Sequence, residues 1–290
     1  MRKAPTPPIA GRVFFLTGAA SGIGERLATR LAEGGAQVYA TDANRDGLEA
    51  AAARHAWPPA KVALAPLDVR DYAAWERAVE AAQTRFGPID VLMNVAGVAT
   101  SGLLQETDAT EIDRLIDINT KGLMYGCRAV APHLAARGAG HIVNMGSMAS
   151  LVSVPAMSLY VASKHAVRGF SHTLAEDLRP HGVAVTLVCP DAVHTPMLVR
   201  QAANEASLHN FMGLKLLELE EVERLILGRV LRRRPLEANL PWTSALVAKL
   251  GGALPALGSR LFPLFRRSAV KNRARYLARL AAARETEATD

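Results

Sequence analysis

The sequence predicts an α/β fold in which a doubly wound parallel sheet carries helices on both faces. Six times along the chain, a short apolar run precedes a segment with apolar residues at helical spacing. The runs are apolar almost throughout, which is typical of strands buried on both faces of a parallel sheet. Half of the 290 residues are apolar, enough for one large core. In such sheets, ligands bind outside the carboxyl ends of the strands.

The predicted elements alternate regularly along the chain. Strands are expected at residues 12–17, 37–41, 61–67, 89–94, 141–145 and 184–189, with a seventh at 236–240. Helices are expected from Ile23 onwards and then at 45–54, 71–86, within 111–137, at 159–178 and at 220–231. Right-handed crossovers between parallel strands place these helices on both sides of the sheet.

A glycine-rich loop, Thr17-Gly-Ala-Ala-Ser-Gly-Ile-Gly24, follows the first strand. Such a loop brings backbone close to a phosphate and opens a helix whose first N–H groups face the anion. Asp42 ends the second strand, where a carboxylate accepts from both hydroxyls of an adenosine ribose and repels a 2′-phosphate. Neither Ser21 nor Ala43 supplies a compensating cation, so NAD is favoured over NADP. The alternative for Asp42 is a capping or turn carboxylate.

Two further strands end in small or polar residues. Asp68-Val69 ends the third and Asn94-Val-Ala-Gly97 the fourth, where a cofactor can lie against the backbone. Ordinary turn chemistry is the alternative at both places. Asn119 lies inside a predicted helix beside Gly122, and both are poor helix formers. A polar role for Asn119, such as holding a water molecule, is therefore expected.

Tyr160 and Lys164 stand four residues apart in a predicted helix and therefore share one face. A phenol titrates near pH ~10, so it transfers protons poorly at neutral pH unless its phenolate is stabilised. A lysine one turn away supplies that stabilisation. Ser147 follows the strand at 141–145, from which a hydroxyl can reach a neighbouring helix. The sequence predicts that these three side chains meet beside a cofactor site.

Together these motifs, at these spacings, resemble the short-chain dehydrogenase/reductase family over about residues 10 to 200. The resemblance implies a Rossmann-type fold and reversible hydride transfer between a nicotinamide cofactor and a carbonyl/alcohol pair. It implies that Tyr160 is the general acid/base and that Lys164 lowers its pKa and binds the nicotinamide ribose. Ser147 then orients the substrate oxygen, and Asn119 holds the water of a proton relay.

The resemblance also implies a set of cofactor-binding residues along the strand ends. They are Gly18, Ser21, Gly22, Ile23, Gly24, Asp42, Asp68, Val69, Asn94, Ala96, Gly97, Tyr160, Lys164, Pro190, Val193 and Thr195. One departure stands among them, because the family usually has Pro-Gly after the sixth strand and this chain has Pro190-Asp191. The departure concerns the local backbone shape.

The residues expected to border the reacting carbon are apolar. They are Met148, Val154, Pro155, Met157, Met197 and Leu198, with Leu208, Phe211 and Met212 nearby. No arginine or lysine is expected to meet an anionic group of the substrate. The sequence therefore favours a lipophilic secondary alcohol or ketone of the steroid, retinoid, terpene or long-chain lipid type. Packing of these side chains against one another is the alternative.

Three readings of the function remain open at this point. The first is an NAD-dependent alcohol dehydrogenase or ketone reductase. The second is an NADPH-dependent carbonyl reductase, and the third is a non-catalytic nucleotide-binding module that senses redox state. Intact Ser147, Tyr160 and Lys164 favour the two enzymes.

The domain organisation follows from the charge pattern. Residues 224–279 contain thirteen Lys or Arg and one acid, so this segment has a net charge of +12. The whole chain has a net charge of +7, so the rest of the chain carries −5. We expect a disordered leader at 1–10, a dinucleotide-binding catalytic domain at 11–240 with a lid around 195–230, and a basic helical extension at 241–290.

The extension mixes apolar and basic residues. The segment combines Trp242, Leu254, Leu257, Leu261, Phe262, Leu264 and Phe265 with Lys249, Arg260, Arg266 and Arg267. Its prolines, glycine pair and charges interrupt any membrane span. Peripheral membrane contact through 241–280 and contact with another subunit of a homodimer or homotetramer are the two alternatives. No nucleic-acid motif accompanies the charge. Unpaired Cys127 and Cys189 favour a reducing compartment, so we expect a cytoplasmic protein.

Overall fold

The structure, a computed structural model, describes residues 9–213 and 215–287. Within these ranges it describes all side chains except those of residues 205, 209, 257–259, 261–265 and 283–287. Most of the predicted leader lies outside the described residues. The side chains of five apolar residues of the predicted basic extension also lie outside them: Leu257, Leu261, Phe262, Leu264 and Phe265.

Seven parallel strands form one sheet in the order β3-β2-β1-β4-β5-β6-β7. The strands are β1 (Val13–Thr17), β2 (Gln37–Asp42), β3 (Val62–Pro66), β4 (Val91–Asn94), β5 (Gly140–Met145), β6 (Val183–Pro190) and β7 (Glu237–Leu240). The strand order reverses beside β1, which pairs with β2 on one side and β4 on the other. This reversal opens a crevice at the carboxyl ends of β1 and β4. The predicted fold class is confirmed.

The helices follow the strands along the chain. They are α1 (Gly22–Glu33), α2 (Arg45–Arg54), α3 (Tyr72–Phe86), α4 (Ala109–Ile116), α5 (Leu123–Arg137), α6 (Ser158–Leu178), α7 (Pro196–Ala202), α8 (Leu219–Glu223), α9 (Leu231–Arg233), α10 (Trp242–Ala253) and α11 (Pro255–Glu287). Short 3₁₀ turns lie at Leu104–Glu106, Met148–Ser150, Arg179–His181 and Glu205–Phe211.

Alternate residues of the strands feed two apolar layers. On β1, Phe14 and Leu16 pack into the layer beneath α1 and α2, whereas Val13 and Phe15 pack into the layer beneath α3, α5 and α6. Both phenylalanines are fully buried. The sheet is therefore covered on both faces, and only the ends of its strands are open to a ligand.

The helix expected within 111–137 is interrupted. A π-helical turn, Asp117–Gly122, separates α4 from α5 and contains Asn119. A Cβ at Gly122 would lie 2.7 Å from the Val69 side chain, so the turn presses against the end of β3 at a position that tolerates only glycine. Single π turns of this kind are frequent at functional sites.

The two C-terminal helices pack on the parts of the chain that border the crevice. On α10, Ala245 and Ala248 contact Met148 and Leu151, whereas Trp242 on its outer side is 70% exposed. On α11, Ala269 and Tyr276 contact the segment 196–212. None of the described helices combines the length and apolarity needed to cross a bilayer.

Candidate active site

The glycine loop is fixed by close backbone contacts at the point where the strand order reverses. Gly18 has φ +74°, and a Cβ there would lie 2.8 Å from Ala96 Cα. A Cβ at Gly24 would lie 1.9 Å from the Gly18 carbonyl oxygen, a distance that no side chain can accept. The Thr17 hydroxyl accepts from the backbone N–H groups of Val95 and Ala96, each at 3.1 Å. These contacts hold the loops after β1 and β4 against each other.

Asp42 ends β2 and lines this crevice where the sequence analysis expects the adenosine ribose. One carboxylate oxygen accepts from Ala20 N at 3.0 Å and the other from Asn44 N at 2.9 Å. Each oxygen keeps a lone pair for a further donor. Asp68 lies at the same end and forms an ion pair with Arg70, whose hydrogen bonds hold the pKa of Asp68 below its usual value. The sequence reading named Asp68 and overlooked Arg70, which lines the cavity and offsets its charge.

A cavity of about 680 Å³ runs along the carboxyl ends of the strands. Most of the predicted cofactor and catalytic residues line it: Gly18, Ser21, Gly22, Ile23, Gly24, Asp42, Asp68, Val69, Ala96, Gly97, Ser147, Tyr160, Lys164, Pro190, Val193 and Thr195. Asn94 and Asn119 do not. The structure therefore brings the sequence-predicted residues together around one cavity, except for the two asparagines, which do not line it.

Asn94 belongs to a buried polar network beneath the strand ends. Its amide nitrogen donates to Asn144 Oδ1 at 2.9 Å and to Cys127 Sγ at 3.4 Å. Asn144 in turn donates to the Ser171 hydroxyl at 3.0 Å. Asn94 is 3% exposed and does not line the cavity, so its expected cofactor contact stays a prediction. Its hydrogen bonds join β4, β5, α5 and α6 under the site.

Asn119 holds the loop after β4 in place. Its side-chain oxygen accepts from Val98 N at 2.8 Å, and its amide nitrogen donates to Val98 O at 2.9 Å and to Ser163 Oγ at 3.1 Å. Both N–H groups of the amide are thereby used. To hold a water molecule, as predicted, Asn119 would therefore have to use one of its acceptor atoms. Its side chain links the π turn, the loop after β4 and α6 through hydrogen bonds.

Ser147, Tyr160 and Lys164 converge at the middle of the cavity. Ser147 begins the 3₁₀ turn after β5, and its hydroxyl accepts from Ala149 N at 3.1 Å. Burial raises the pKa of Tyr160, and a hydrogen bond from Ser147 opposes that rise. Burial is the larger of the two effects, so the pKa of Tyr160 stays above its usual value with Ser147 beside it.

Lys164 lies between α6 and the end of β5. Its ammonium donates to the Met145 carbonyl at 2.9 Å and lies 5.8 Å from the centre of the Tyr160 ring. Burial lowers the pKa of Lys164 to about 8. Lys164 makes no direct bond to the phenol, so its predicted effect on Tyr160 stays a prediction.

The expected apolar border of the reacting carbon is partly found. Met148, Val154, Met157, Met197 and Leu198 line the cavity, whereas Pro155, Leu208, Phe211 and Met212 do not. The last three pack in or against the cluster that joins the lid segment to α11. Their packing is the alternative that the sequence left open.

The expectation that no cation reaches the substrate region is wrong. Arg114 and Arg200 both line the cavity, with Gln201 and Asn210 beside them. The sequence carried a signal for two of these residues, because Arg200 and Gln201 follow Met197 by three and four positions in a short helix and share its face.

The shape and chemistry of the cavity fit a nicotinamide dinucleotide. A side chain at Gly18 would collide with the backbone of Ala96, and one at Gly24 with the backbone of Gly18. The Ser21 side chain does not cap α1, so the N–H groups of its first turn remain available to an anion. Asp42 keeps acceptor capacity for a ribose. Tyr160 and Lys164 line the same cavity.

Comparison with known proteins agrees with this geometry. The sequence profile of the short chain dehydrogenase family matches residues 12–206. The chain is 40% identical over 190 residues to 2-(R)-hydroxypropyl-CoM dehydrogenase from Xanthobacter autotrophicus, covering 64% of this chain and 76% of that protein. It is 39% identical over 195 residues to trans-4-hydroxycyclohexanecarboxylate dehydrogenase from Sinomonas cyclohexanicum, covering 65% and 75%.

A solved structure shows the same architecture. A short chain dehydrogenase/reductase from Burkholderia phymatum, crystallised in complex with NAD, superposes with a TM-score of 0.78 and 28% sequence identity, covering 87% of this chain and 96% of that one. The matched profile spans the glycine loop, Asp42 and the Ser147, Tyr160 and Lys164 cluster. The chain belongs to the short chain dehydrogenase family.

Proposed function

We propose that this protein is an NAD-dependent oxidoreductase that interconverts a lipophilic secondary alcohol and its ketone, with a steroid, retinoid, terpene or long-chain lipid skeleton. The observation that carries the proposal is the meeting of Ser147, Tyr160 and Lys164 on one cavity with the glycine loop and Asp42. Five apolar side chains at the same cavity support the lipophilic part of the proposal.

The cofactor would be held by residues of the strand ends. The loop Gly18–Gly24 and the start of α1 would hold the diphosphate, Asp42 would hold the adenosine ribose, and Tyr160 and Lys164 would hold the nicotinamide ribose. When bound, a nicotinamide dinucleotide supplies the acceptor or donor of a hydride for the alcohol and ketone.

The protein's own side chains handle the proton and orient the substrate. In alcohol oxidation, the Tyr160 oxygen takes the proton of the substrate hydroxyl, and in ketone reduction it returns that proton. Ser147 donates to the substrate oxygen from its place at the end of β5, on the same cavity as Tyr160. The Lys164 ammonium, held by the Met145 carbonyl, adds positive charge that favours the phenolate.

A carboxylate at the adenosine end supports the preference for NAD. Asp42 repels a 2′-phosphate, because like charges brought into contact cost several kcal/mol. The nearest cation in the lining, Arg70, is already bound to Asp68 at 2.6 Å. Arg70 is the residue on which an alternative NADP preference would depend.

The names of the relatives support an alcohol substrate. Both the Xanthobacter and the Sinomonas proteins are named as dehydrogenases of hydroxy compounds. A secondary hydroxyl on an apolar skeleton is consistent with the methionines and Val154 in the cavity lining.

The test is reduction of NAD+ with a panel of steroids, retinol, terpenols and long-chain secondary alcohols, repeated with NADP+. We expect turnover with NAD+, and in Tyr160→Phe a loss of roughly 100-fold or more in kcat with NADH affinity retained. Tyr72→Phe, which changes a partly buried tyrosine outside the cavity, serves as the matched control. Tight NADH binding without turnover of any alcohol or ketone would instead favour the redox-sensing module.

A further inference from the structure

A second cavity of about 330 Å³ opens beside the first and is lined mainly by polar side chains. We call it the polar chamber and define it by Thr100, Ser101, Arg114, Arg200, Gln201 and Asn204. Gly97, Met197, Arg114, Arg200 and Gln201 line both cavities, so the chamber is continuous with the space in front of Tyr160.

Several hydrogen-bond donors of the chamber lack acceptors. The Gln201 amide nitrogen and the Ser101 hydroxyl are buried without a hydrogen-bond partner among the described residues. The Gln201 amide oxygen is held by Asn210 at 3.0 Å, which fixes the free nitrogen on its other side. A buried donor left unsatisfied destabilises a folded protein, so these two groups are available to acceptor atoms that enter the cavity, from water or from a ligand.

The charge of the chamber is positive. Glu111 reaches its edge, but it accepts two hydrogen bonds from Arg114 at 2.7 and 2.8 Å and one from Thr100 at 2.8 Å. These contacts neutralise the carboxylate. Arg200 lines the same space, and no described side chain forms a hydrogen bond or an ion pair with it. The exposed arginine Arg200 therefore brings one uncompensated positive charge to the chamber that also holds the two unsatisfied donors, Ser101 and Gln201.

We propose that the polar chamber binds a carboxylate on the substrate, at the end remote from the reacting hydroxyl. The substrate class is then an amphiphilic hydroxy or keto acid. Its apolar part would lie along Met197 and the other four apolar residues that line the first cavity. Its anionic end would lie at Arg200, Gln201 and Ser101. The inference rests on the proposed function for the reaction itself. It narrows the class of substrate that this site takes.

Turnover of matched pairs tests the proposal. The probes are secondary (ω−1)-hydroxy acids from hydroxybutanoate to hydroxydecanoate and their methyl esters, each with NAD+. We expect kcat/KM to favour the acid at one chain length, and Arg200→Met to raise KM for that acid about 10-fold with kcat little changed, as for one partly exposed charged hydrogen bond. KM for the ester is expected to change less than twofold. Arg232→Met, at an exposed arginine outside both cavities, is the matched control.

Neutralising the chamber with an added carboxylate gives a second readout. In Gln201→Glu the new carboxylate offsets the charge of Arg200, so we expect the preference for the acid over its ester to be lost. If esters are oxidised as well as acids at every length and Arg200→Met affects both alike, the inference is wrong while the proposed function stands.

Direct binding tests the chamber without turnover. We expect calorimetry to detect decanoate binding that is about 10-fold tighter than decanamide binding and is weakened in Arg200→Met by the same factor. Equal affinities for decanoate and decanamide, unchanged in the variant, would overturn the assignment even if no alcohol in the panel is a substrate.

Discussion

Replacing Lys164 with methionine is expected to make the folded protein more stable while removing its activity. Lys164 is 5% exposed, and burial lowers its pKa to about 8. In the unfolded chain a lysine titrates near ~10.4. Between these two values the unfolded state binds more protons, so the free energy of unfolding rises with pH across that window. Below about pH 8 the folded state carries the full desolvation cost of the buried ammonium.

The size of the effect follows from the shift. A difference of about 2.5 pKa units corresponds to about 3 kcal/mol at neutral pH. Methionine removes this cost and keeps similar volume, but it gives up the hydrogen bond to the Met145 carbonyl, which contributes about 1 kcal/mol. Lys164→Met is therefore expected to be about 2 kcal/mol more stable at pH 7, which raises Tm by about 4 °C for a chain of this size.

Thermal unfolding of both proteins, followed by circular dichroism at several pH values, measures the difference. We expect the advantage of Lys164→Met to shrink as pH rises above 8 and to vanish near pH 10, where the wild-type lysine is largely neutral once folded. Lys61→Met, at an exposed lysine, controls for the general effect of losing a charge. A variant less stable than the wild type at pH 7, or a difference that does not change with pH, would refute the reasoning.

Three other substitutions have defined outcomes. Gly24→Ala places a Cβ 1.9 Å from the Gly18 carbonyl oxygen, so we expect NADH affinity, measured by fluorescence titration, to fall at least ~10-fold. The control is Gly169→Ala, where a Cβ meets nothing within 4 Å and NADH affinity should not change. Asp42→Ser removes the carboxylate that repels a 2′-phosphate, so steady-state kinetics should show the NADP+ to NAD+ ratio of kcat/KM rising at least ~10-fold. Arg273→Met removes hydrogen bonds to Ala202 O at 3.0 Å and Ala203 O at 3.1 Å, so amide exchange in 196–202 should accelerate with NADH affinity unchanged.

The fold could be predicted because its local and global signals agree. Apolar runs without alternation indicate strands buried on both faces, and the seven strands of the structure match the predicted runs to within two residues. The strand order does not follow from periodicity alone, but right-handed crossovers and the glycine loop after the first strand restrict it. The π turn at Asp117–Gly122 could not be predicted, because Gly122 fits closely against Val69, a residue far away in the sequence.

The site could be predicted only where short motifs carry the chemistry. Tyr160 and Lys164 are related by helix geometry, and the glycines by backbone geometry, so spacing suffices for both. Asn94 shows the limit, because a polar residue at a strand end can face the cavity or the core, and its partner Asn144 lies fifty residues away.

The spacing of residues in the sequence also cannot predict what binds to an exposed surface. The outer side of α10 exposes Trp242, Leu246 and Leu250, at 70%, 53% and 57%. Both predicted contacts of this region, with a membrane and with another subunit, stay predictions. Flotation with anionic vesicles and the mass of the particle in solution distinguish them.

Asp191, where the family usually has a glycine, alters the contacts of the lid segment and leaves the backbone pairing at the end of β6 in place. The strand end keeps its backbone pairing, since Asp191 N donates to Leu240 O at 2.8 Å and the Asp191 carboxylate accepts from Ala192 N at 2.9 Å. The added side chain instead takes up space on the lid side, where a Cβ at Gly213 would lie 2.5 Å from Asp191 Oδ2. Burial raises the pKa of Asp191, which is consistent with a carboxyl enclosed by the lid. The Asp191 side chain therefore leaves no room for a side chain at position 213, so we expect Gly213→Ala to displace the Asp191 carboxylate or to destabilise this contact.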